Sequence, residues 1–179
     1  MSDPTVRRLV VVRHAKSDYP PGVPDRERPL GERGRRDAPR MGLRIAALTP
    51  QVDLALVSPA TRTQQTWDLL SPSLDVAEMR LEGRIYQAWG AQMMGVVRGL
   101  DDSVRCAMLV GHEPGVSHLV VSLADHGRQE TSESADLLRT LRTKFPTCAV
   151  AVLELEESWS QAGRGAVRLS AFLTPKDQG

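Results

Sequence analysis

Leu9-Val10-Val11-Val12-Arg13-His14 decides the fold: four aliphatic residues in succession, three of them β-branched, end abruptly on two basic ones. A strand with one face in water alternates apolar and polar residues. A strand covered on both faces runs apolar without a break, and this run is of that second kind. Comparable runs recur at 52–57, 105–110, 148–155 and 167–173, with a sixth candidate at 76–81. Between them lie helical patterns at 35–48, which carries Ala38, Met41, Leu43, Ile45 and Leu48, and at 60–70, 91–100, 116–124 and 134–144. Strands alternating with helices predict an α/β three-layer sandwich around a mostly parallel sheet of five or six strands.

At 179 residues and 41% hydrophobic content, the chain fits a single domain over 1–179 with a full core. Its net charge of +1 offers no overall field for nucleic acid or an anionic membrane, so any selectivity for anions is local. Cys106 and Cys148 both fall at apolar runs and read as buried small hydrophobes within strands, without a disulfide framework. No stretch is long and apolar enough to span a bilayer, and the first residues lack a signal-peptide core. The sequence therefore reads as cytoplasmic. Residues 18–29 hold Pro20, Pro21, Gly22, Pro24 and Pro29, which bars a helix interior or a central strand and predicts a long loop. The polar segment 125–133 reads as a surface loop.

Three motifs follow three of the strands. The first is Arg13-His14-Ala15-Lys16-Ser17, the second Ser58-Pro59-Ala60-Thr61-Arg62, and the third Gly111-His112-Glu113-Pro114-Gly115. Adjacent strand ends in an open α/β sheet converge on one crevice, so the three sets are expected to meet. A neutral imidazole has a lone pair that can attack phosphorus, and the phosphoramidate formed is hydrolysed in a second step. The phosphoryl oxygens need cationic donors, which Arg13 supplies beside His14, with one further donor each from Lys16 and Ser17. Ser58 reads as a helix N-cap, with Pro59 at the first helical position and Arg62 in the first turn, where a phosphate meets free N–H groups. His112, opposite His14, adds positive charge if protonated. Each motif alone is ordinary: loop polarity, a helix start, a capped histidine. Their conjunction after successive strands points to phosphoryl transfer.

These residues resemble the histidine phosphatase superfamily, also called phosphoglycerate mutase-like. The run from Arg13 to Ser17, with Arg28-Pro29-Leu30 and Gly31-Glu32-Arg33-Gly34-Arg35-Arg36-Asp37-Ala38, resembles its small SixA-type phosphohistidine phosphatases. The likeness runs from about residue 8 to residue 125. It implies a phosphoglycerate mutase-like fold without a cap subdomain, His14 as the nucleophile that becomes phosphorylated, and Arg13, Arg62 and His112 holding the phosphoryl group, with Ser17 as a further phosphate ligand. Many relatives have glycine at the place of Ala15 and a phosphate-binding asparagine at the place of Pro20. For the general acid the resemblance offers Glu113 first, Glu82 as the alternative and Asp18 third.

Other chemistries fail on spacing. His112-Glu113 lacks the second histidine of a metalloprotease helix, since Val116 stands there, and no glycine-rich nucleotide loop follows a strand. The histidines and cysteines show no metal-ligand spacing, and the inferred reaction calls for no cofactor. The expected activity is that of a metal-independent phosphatase whose substrate is a phosphorylated protein, foremost one carrying phosphohistidine. The alternatives are a small phosphate ester as substrate, or a catalytically weak phospho-binding module.

Overall fold

The computed structural model describes residues 6–49, 51–126 and 132–176. Its strands are β1 (Arg7–Arg13), β2 (Gln51–Val57), β3 (Asp75–Leu81), β4 (Cys106–Gly111), β5 (Val150–Leu155) and β6 (Val167–Leu173). Its helices are α1 (Glu32–Leu48), α2 (Thr61–Leu70), α3 (Gly90–Arg98), α4 (Gly115–His126) and α5 (Ser132–Thr143). The six strands form one sheet in the order β3-β2-β4-β1-β5-β6. β3, β2, β4 and β1 pair in parallel, and β5 is antiparallel to both β1 and β6. Only β5 therefore runs against the rest, as a mostly parallel sheet requires.

Alternation along β1 divides the core. Leu9 and Val11 face α3, α4 and α5 with Leu54, Leu56, Leu109, Met93, Leu119 and Leu138. Val10 and Val12 face α1 and α2 with Val57, Met108, Val110, Met41, Ile45 and Trp67. The central strands are buried on both faces, which is why their sequences show no polar alternation. β3 lies at the sheet edge and is mostly exposed, with Met79 and Leu81 open to solvent. No cap subdomain covers the described residues between α2 and β4, where β3, a 3-10 turn at Gly83–Ile85 and α3 follow one another. No described helix is long and apolar enough to cross a membrane.

Several boundaries differ from the sequence expectation. α1 begins at Glu32, a turn before the expected 35, because the apolar spacing starts only where the helix meets the sheet. β5 begins at Val150, and Cys148 sits before it with a φ of 63°. The Cys148 N–H donates to the carbonyls of Arg13 and His14 at 3.2 and 3.0 Å, so this apolar residue turns the chain instead of extending the strand. Both cysteines are free and buried, and burial pushes each thiol up to about 12. Of the expected surface loop at 125–133, Asp125 and His126 end α4 while Ser132 and Glu133 begin α5, and 127–131 lie outside the described residues. In the proline-rich segment, a bridge pairs Ser17 with Leu30, and the Asp18 N–H donates to the Pro29 carbonyl at 2.9 Å. The loop thus leaves and rejoins the body at one point, with a 3-10 turn at Asp25–Glu27 in its course.

The segment after His14 lies directly on α1. A Cβ at Gly34 would stand 2.3 Å from the Lys16 carbonyl oxygen and 3.0 Å from its nitrogen, too close for any side chain. Alanine in a helix interior ordinarily gains about 1 kcal/mol over glycine, whereas overpacking against fixed backbone costs about 1–3 kcal/mol. Gly34→Ala is therefore expected to lower the urea midpoint and, by moving Lys16, to reduce turnover. A raised midpoint with unchanged turnover would contradict the close approach.

Candidate active site

β2, β4 and β1 are neighbours, and Arg13 is level with Gly111 in the parallel ladder. The ladder continues one residue past the strands: the His14 N–H donates to the Gly111 carbonyl at 3.0 Å and the Ser58 N–H to the Val110 carbonyl at 3.1 Å. The three motifs therefore meet. The His14 and His112 rings lie 5.2 Å apart, tilted by 53°. The Ala15 N–H donates to Thr66 Oγ1 at 2.9 Å, and that hydroxyl donates to the Arg62 carbonyl at 2.7 Å, so the first turns of α2 hold the loop that carries His14.

His14 is 8% exposed. Its Nδ1 lies 2.8 Å from the Ala15 carbonyl, which can only accept, so the ring proton sits on Nδ1 and the Nε2 lone pair is free. Burial pushes the imidazole down to about 3; the bond to Ala15 opposes this, and His112, Arg62 and Arg13 add to it. His112 Nε2 lies 2.7 Å from Ser58 Oγ, and Tyr86 packs edge-on against the ring at 5.6 Å. Burial, then Arg62, push His112 down to about 4, with Asp25 opposing. Both histidines are thus neutral near pH 7, and His112 acts here by hydrogen bonding, not by charge.

Ser58 does not cap α2. Ala60 occupies the N-cap position with extended backbone and no side-chain bond, and Pro59 precedes it, outside the helix. Thr63 Oγ1 reaches the carbonyls of Ser58 and Ala60 at 2.7 Å each, and the Ser58 hydroxyl is left for His112.

Arg62, 6% exposed, projects from the first turn of α2 as expected. Its fork is engaged by the proline-rich loop: Nη1 donates to the Asp25 carbonyl at 2.6 Å and Nη2 to Asp25 Oδ2 at 3.0 Å. Asp25 also accepts from the Tyr86 hydroxyl at 3.0 Å and from Arg28 Nη1 at 2.9 Å. Partial burial favours the neutral carboxyl, but hydrogen bonds from Arg62, Tyr86 and Arg28 prevail and hold Asp25 at about 2. Arg28 continues to Ser17 Oγ at 2.7 Å and to the Asp18 carbonyl at 3.0 Å, with its guanidinium 3.3 Å over the Tyr19 ring. Ser17, the expected phosphate ligand, thus accepts from Arg28 and keeps its own proton to donate. Lys16 is exposed, with Nζ 5.8 Å from the Tyr19 ring. Asp25 and Tyr86 carry no sequence signal of their own: nothing in the spacing of the loop ties position 25 to position 62, and only its fold-back does.

Arg13 Nη1 donates to the Phe145 carbonyl at 2.7 Å. Among the described residues, Arg13 Nε, His112 Nδ1 and Glu113 Oε1 are buried polar atoms without a partner, and all three belong to the strand-end motifs. Glu113 Oε2 accepts from Ser117 Oγ at 2.6 Å. Glu82 is held by Arg84, at 2.9 Å through Nε and 2.7 Å through Nη2, and lines a different cavity with Asp53, Leu56 and Arg80. Asp18 is exposed and accepts from the Tyr19 N–H at 3.3 Å. Among the described residues no cluster of three or more His, Cys, Asp or Glu side chains is arranged to hold a metal ion. The arrangement presents one free imidazole nitrogen amid two guanidinium groups, a second imidazole and one partnerless carboxylate oxygen.

Comparison with known proteins agrees with this chemistry. The model of the histidine phosphatase superfamily (branch 1) matches residues 9–97. An uncharacterized protein of Mycobacterium tuberculosis is 36% identical over 165 residues, spanning 92% of this chain and all of the relative. Two solved structures bear the provisional name phosphohistidine phosphatase SixA. The one from Nakamurella multipartitia has a TM-score of 0.81 at 26% identity, covering 96% of this chain and 97% of that one. The one from Agrobacterium tumefaciens has a TM-score of 0.75 at 27% identity, covering 94% and 98%. With the two histidines and two arginines brought together after β1, β2 and β4, the chain belongs to the histidine phosphatase superfamily, in its SixA-type group.

Proposed function

We propose that the protein is a phosphatase that works through covalent phosphohistidine at His14 and acts on phosphohistidine in a partner protein. The observation that carries this reading is the His14 ring itself: its proton is fixed on Nδ1 and its Nε2 lone pair is unengaged. The substrate phosphoryl group takes the place of the Asp25 carboxylate on the Arg62 fork, with Arg13 and His112 on its other oxygens. Nε2 attacks phosphorus as the substrate's P–N bond breaks; that electron pair stays on the substrate imidazole, which takes up a proton. Water then attacks the phosphoryl group, the P–Nε2 pair returns to His14, and phosphate leaves.

Of the three acid candidates, Glu113 has a buried oxygen without a partner, Glu82 is committed to Arg84, and Asp18 lies out in the loop. Glu113 is therefore assigned the proton transfers. The assignment of a protein substrate rests on the uncapped site and on its surroundings. Tyr19, 69% exposed, stacks on Arg28 in the loop that reaches Arg62, and Trp89, 62% exposed, stacks on His118 just beyond Tyr86. Exposed aromatics beside a site with no cap subdomain suit contact with a folded partner better than enclosure of a metabolite.

The direct test is turnover of a phosphohistidine peptide beside a panel of sugar and nucleotide phosphates. A higher kcat/KM on the peptide is expected, with His14→Gln abolishing turnover and an acid-labile, base-stable phosphoryl label on the enzyme. Labelling that survives in His14→Gln, or one small ester turned over far faster than the peptide, would overturn the assignment.

Asp25 competes with the substrate for Arg62. Asp25→Asn keeps the shape and removes the competing charge, so inhibition by inorganic phosphate is expected to tighten roughly tenfold, about 1.4 kcal/mol. A weaker inhibition in the variant would show that Asp25 supports anion binding instead.

The two histidines also set a pH dependence. Folded, they hold protons only below about 3 and about 4, whereas an unfolded histidine does so below about 6.5. As pH falls below 6.5 the unfolded chain therefore binds more protons, and stability drops by at most about 1.4 kcal/mol per pH unit for each histidine. Urea midpoints between pH 7 and pH 5 are expected to fall less steeply in His14→Gln/His112→Gln. Equal slopes, or a His14 Cε1 proton resonance titrating near pH 6.5, would contradict the neutral burial.

A further inference from the structure

Next to the catalytic crevice lies a second cavity, of about 500 Å³, lined by Lys16, Arg33, Arg36, Arg40, Lys144 and Lys176, with Asp37, Pro146, Thr147 and Pro175. Among the described residues, six cations thus face one carboxylate, in a chain whose net charge is only +1. Asp37 answers Arg33 alone, at 3.9 Å, and Arg33 also reaches Thr147 Oγ1 at 3.3 Å. Among the described residues, Lys16, Arg36, Arg40, Lys144 and Lys176 form no ion pair. Like charges gathered round one concavity repel one another and raise the local potential, an arrangement suited to a complementary anion.

This cavity is tied to the active site by covalent chain and hydrogen bonds. Lys16 is two residues from His14, within about 7 Å of chain between Cα atoms. Pro146 follows Phe145, whose carbonyl accepts from Arg13, and Thr147 precedes Cys148, whose N–H donates to the His14 carbonyl. Arg33, Arg36 and Arg40 stand three and four residues apart on α1, on one side of the helix. Among the described residues no aromatic ring lines the cavity to stack a base, which disfavours nucleic acid. Among the described residues Thr147 brings the cavity's one hydroxyl, too little directional chemistry to select a metabolite, while long basic side chains adapt readily to several carboxylates.

We propose that this cavity receives an acidic segment of the partner protein, placed beside the phosphohistidine that enters the catalytic crevice. The inference rests on the phosphohistidine reading above and adds what distinguishes one partner from another: negative charge next to the target residue. It also assigns the role of Arg36 and Arg40, which take no part in the chemistry.

The test uses two synthetic peptides with the same single phosphohistidine, flanked by four glutamates or by four glutamines, together with p-nitrophenyl phosphate. At low salt the glutamate peptide is expected to show a roughly tenfold higher kcat/KM, shrinking toward equality near 0.5 M NaCl as screening sets in. Arg36→Glu/Arg40→Glu is expected to abolish that preference while leaving p-nitrophenyl phosphate turnover unchanged. Equal kcat/KM on both peptides, or a preference that persists in the double variant, would overturn the docking assignment while phosphohistidine turnover stands. If neither peptide is dephosphorylated and p-nitrophenyl phosphate is, the phosphohistidine reading fails, and the docking assignment fails with it.

Discussion

One hydrogen bond sets the geometry of the site: the His14 N–H donates to the Gly111 carbonyl, 3.0 Å away, one step beyond the last pair of the β1/β4 ladder. It extends the regularity of a sheet buried on both faces into the loops, so that His14 and His112 leave neighbouring strands at the same height. A loop histidine otherwise has rotational freedom to lose when it binds substrate. Here that loss is met during folding, by the same burial that stabilises the sheet, and the ring is further fixed by its bond to Ala15. Gly34 secures the other side, because its missing side chain lets α1 touch the backbone of Lys16.

The electrostatics follow from that burial. Two guanidinium groups and two imidazoles share a small crevice; burial strips the imidazoles of their charge, and Arg62 is paired with Asp25. The pair is not a simple surface ion pair: Arg62 is buried, Asp25 is half exposed, and the carboxylate arrives on a loop whose two ends meet where Ser17 pairs with Leu30. A partner with more negative charge than one carboxylate, such as a phosphoryl group, competes for the same fork on favourable terms. The loop's hold on Arg62 is thus of the same chemical kind as the one proposed for the substrate.

What could be read from the sequence, and what could not, separates along the same physical line. The buried strands announced themselves through unbroken apolar runs, and the residues that follow them, His14, Arg62 and His112, met as the parallel arrangement requires. Where a position depends on close backbone approach or on a loop folding back, periodicity carries no information. Ser58 has the letters of an N-cap, yet Ala60 takes the cap position with extended backbone, and the Ser58 hydroxyl turns to His112. Cys148 looks like part of a strand, yet its N–H serves the turn at Arg13 and His14. Asp25 and Tyr86 lie 37 and 24 residues from Arg62 with nothing periodic between them, and three-dimensional contact alone reveals them.

The reversed strand β5 has one more consequence. In an all-parallel sheet the segment entering a strand lies at the far end from the catalytic loops. Because β5 runs the other way, the turn at 144–148 that feeds it arrives at the end that carries His14 and His112. Its bonds to Arg13 and His14, through the Phe145 carbonyl and the Cys148 N–H, are made by main-chain atoms of the turn, which every ordinary residue supplies. The side chains at 144, 146 and 147 are consequently free of any duty toward His14. Substitution there can remodel the neighbouring surface without retuning the chemistry, so this turn is where descendants of the fold have room to change what they recognise while keeping what they do.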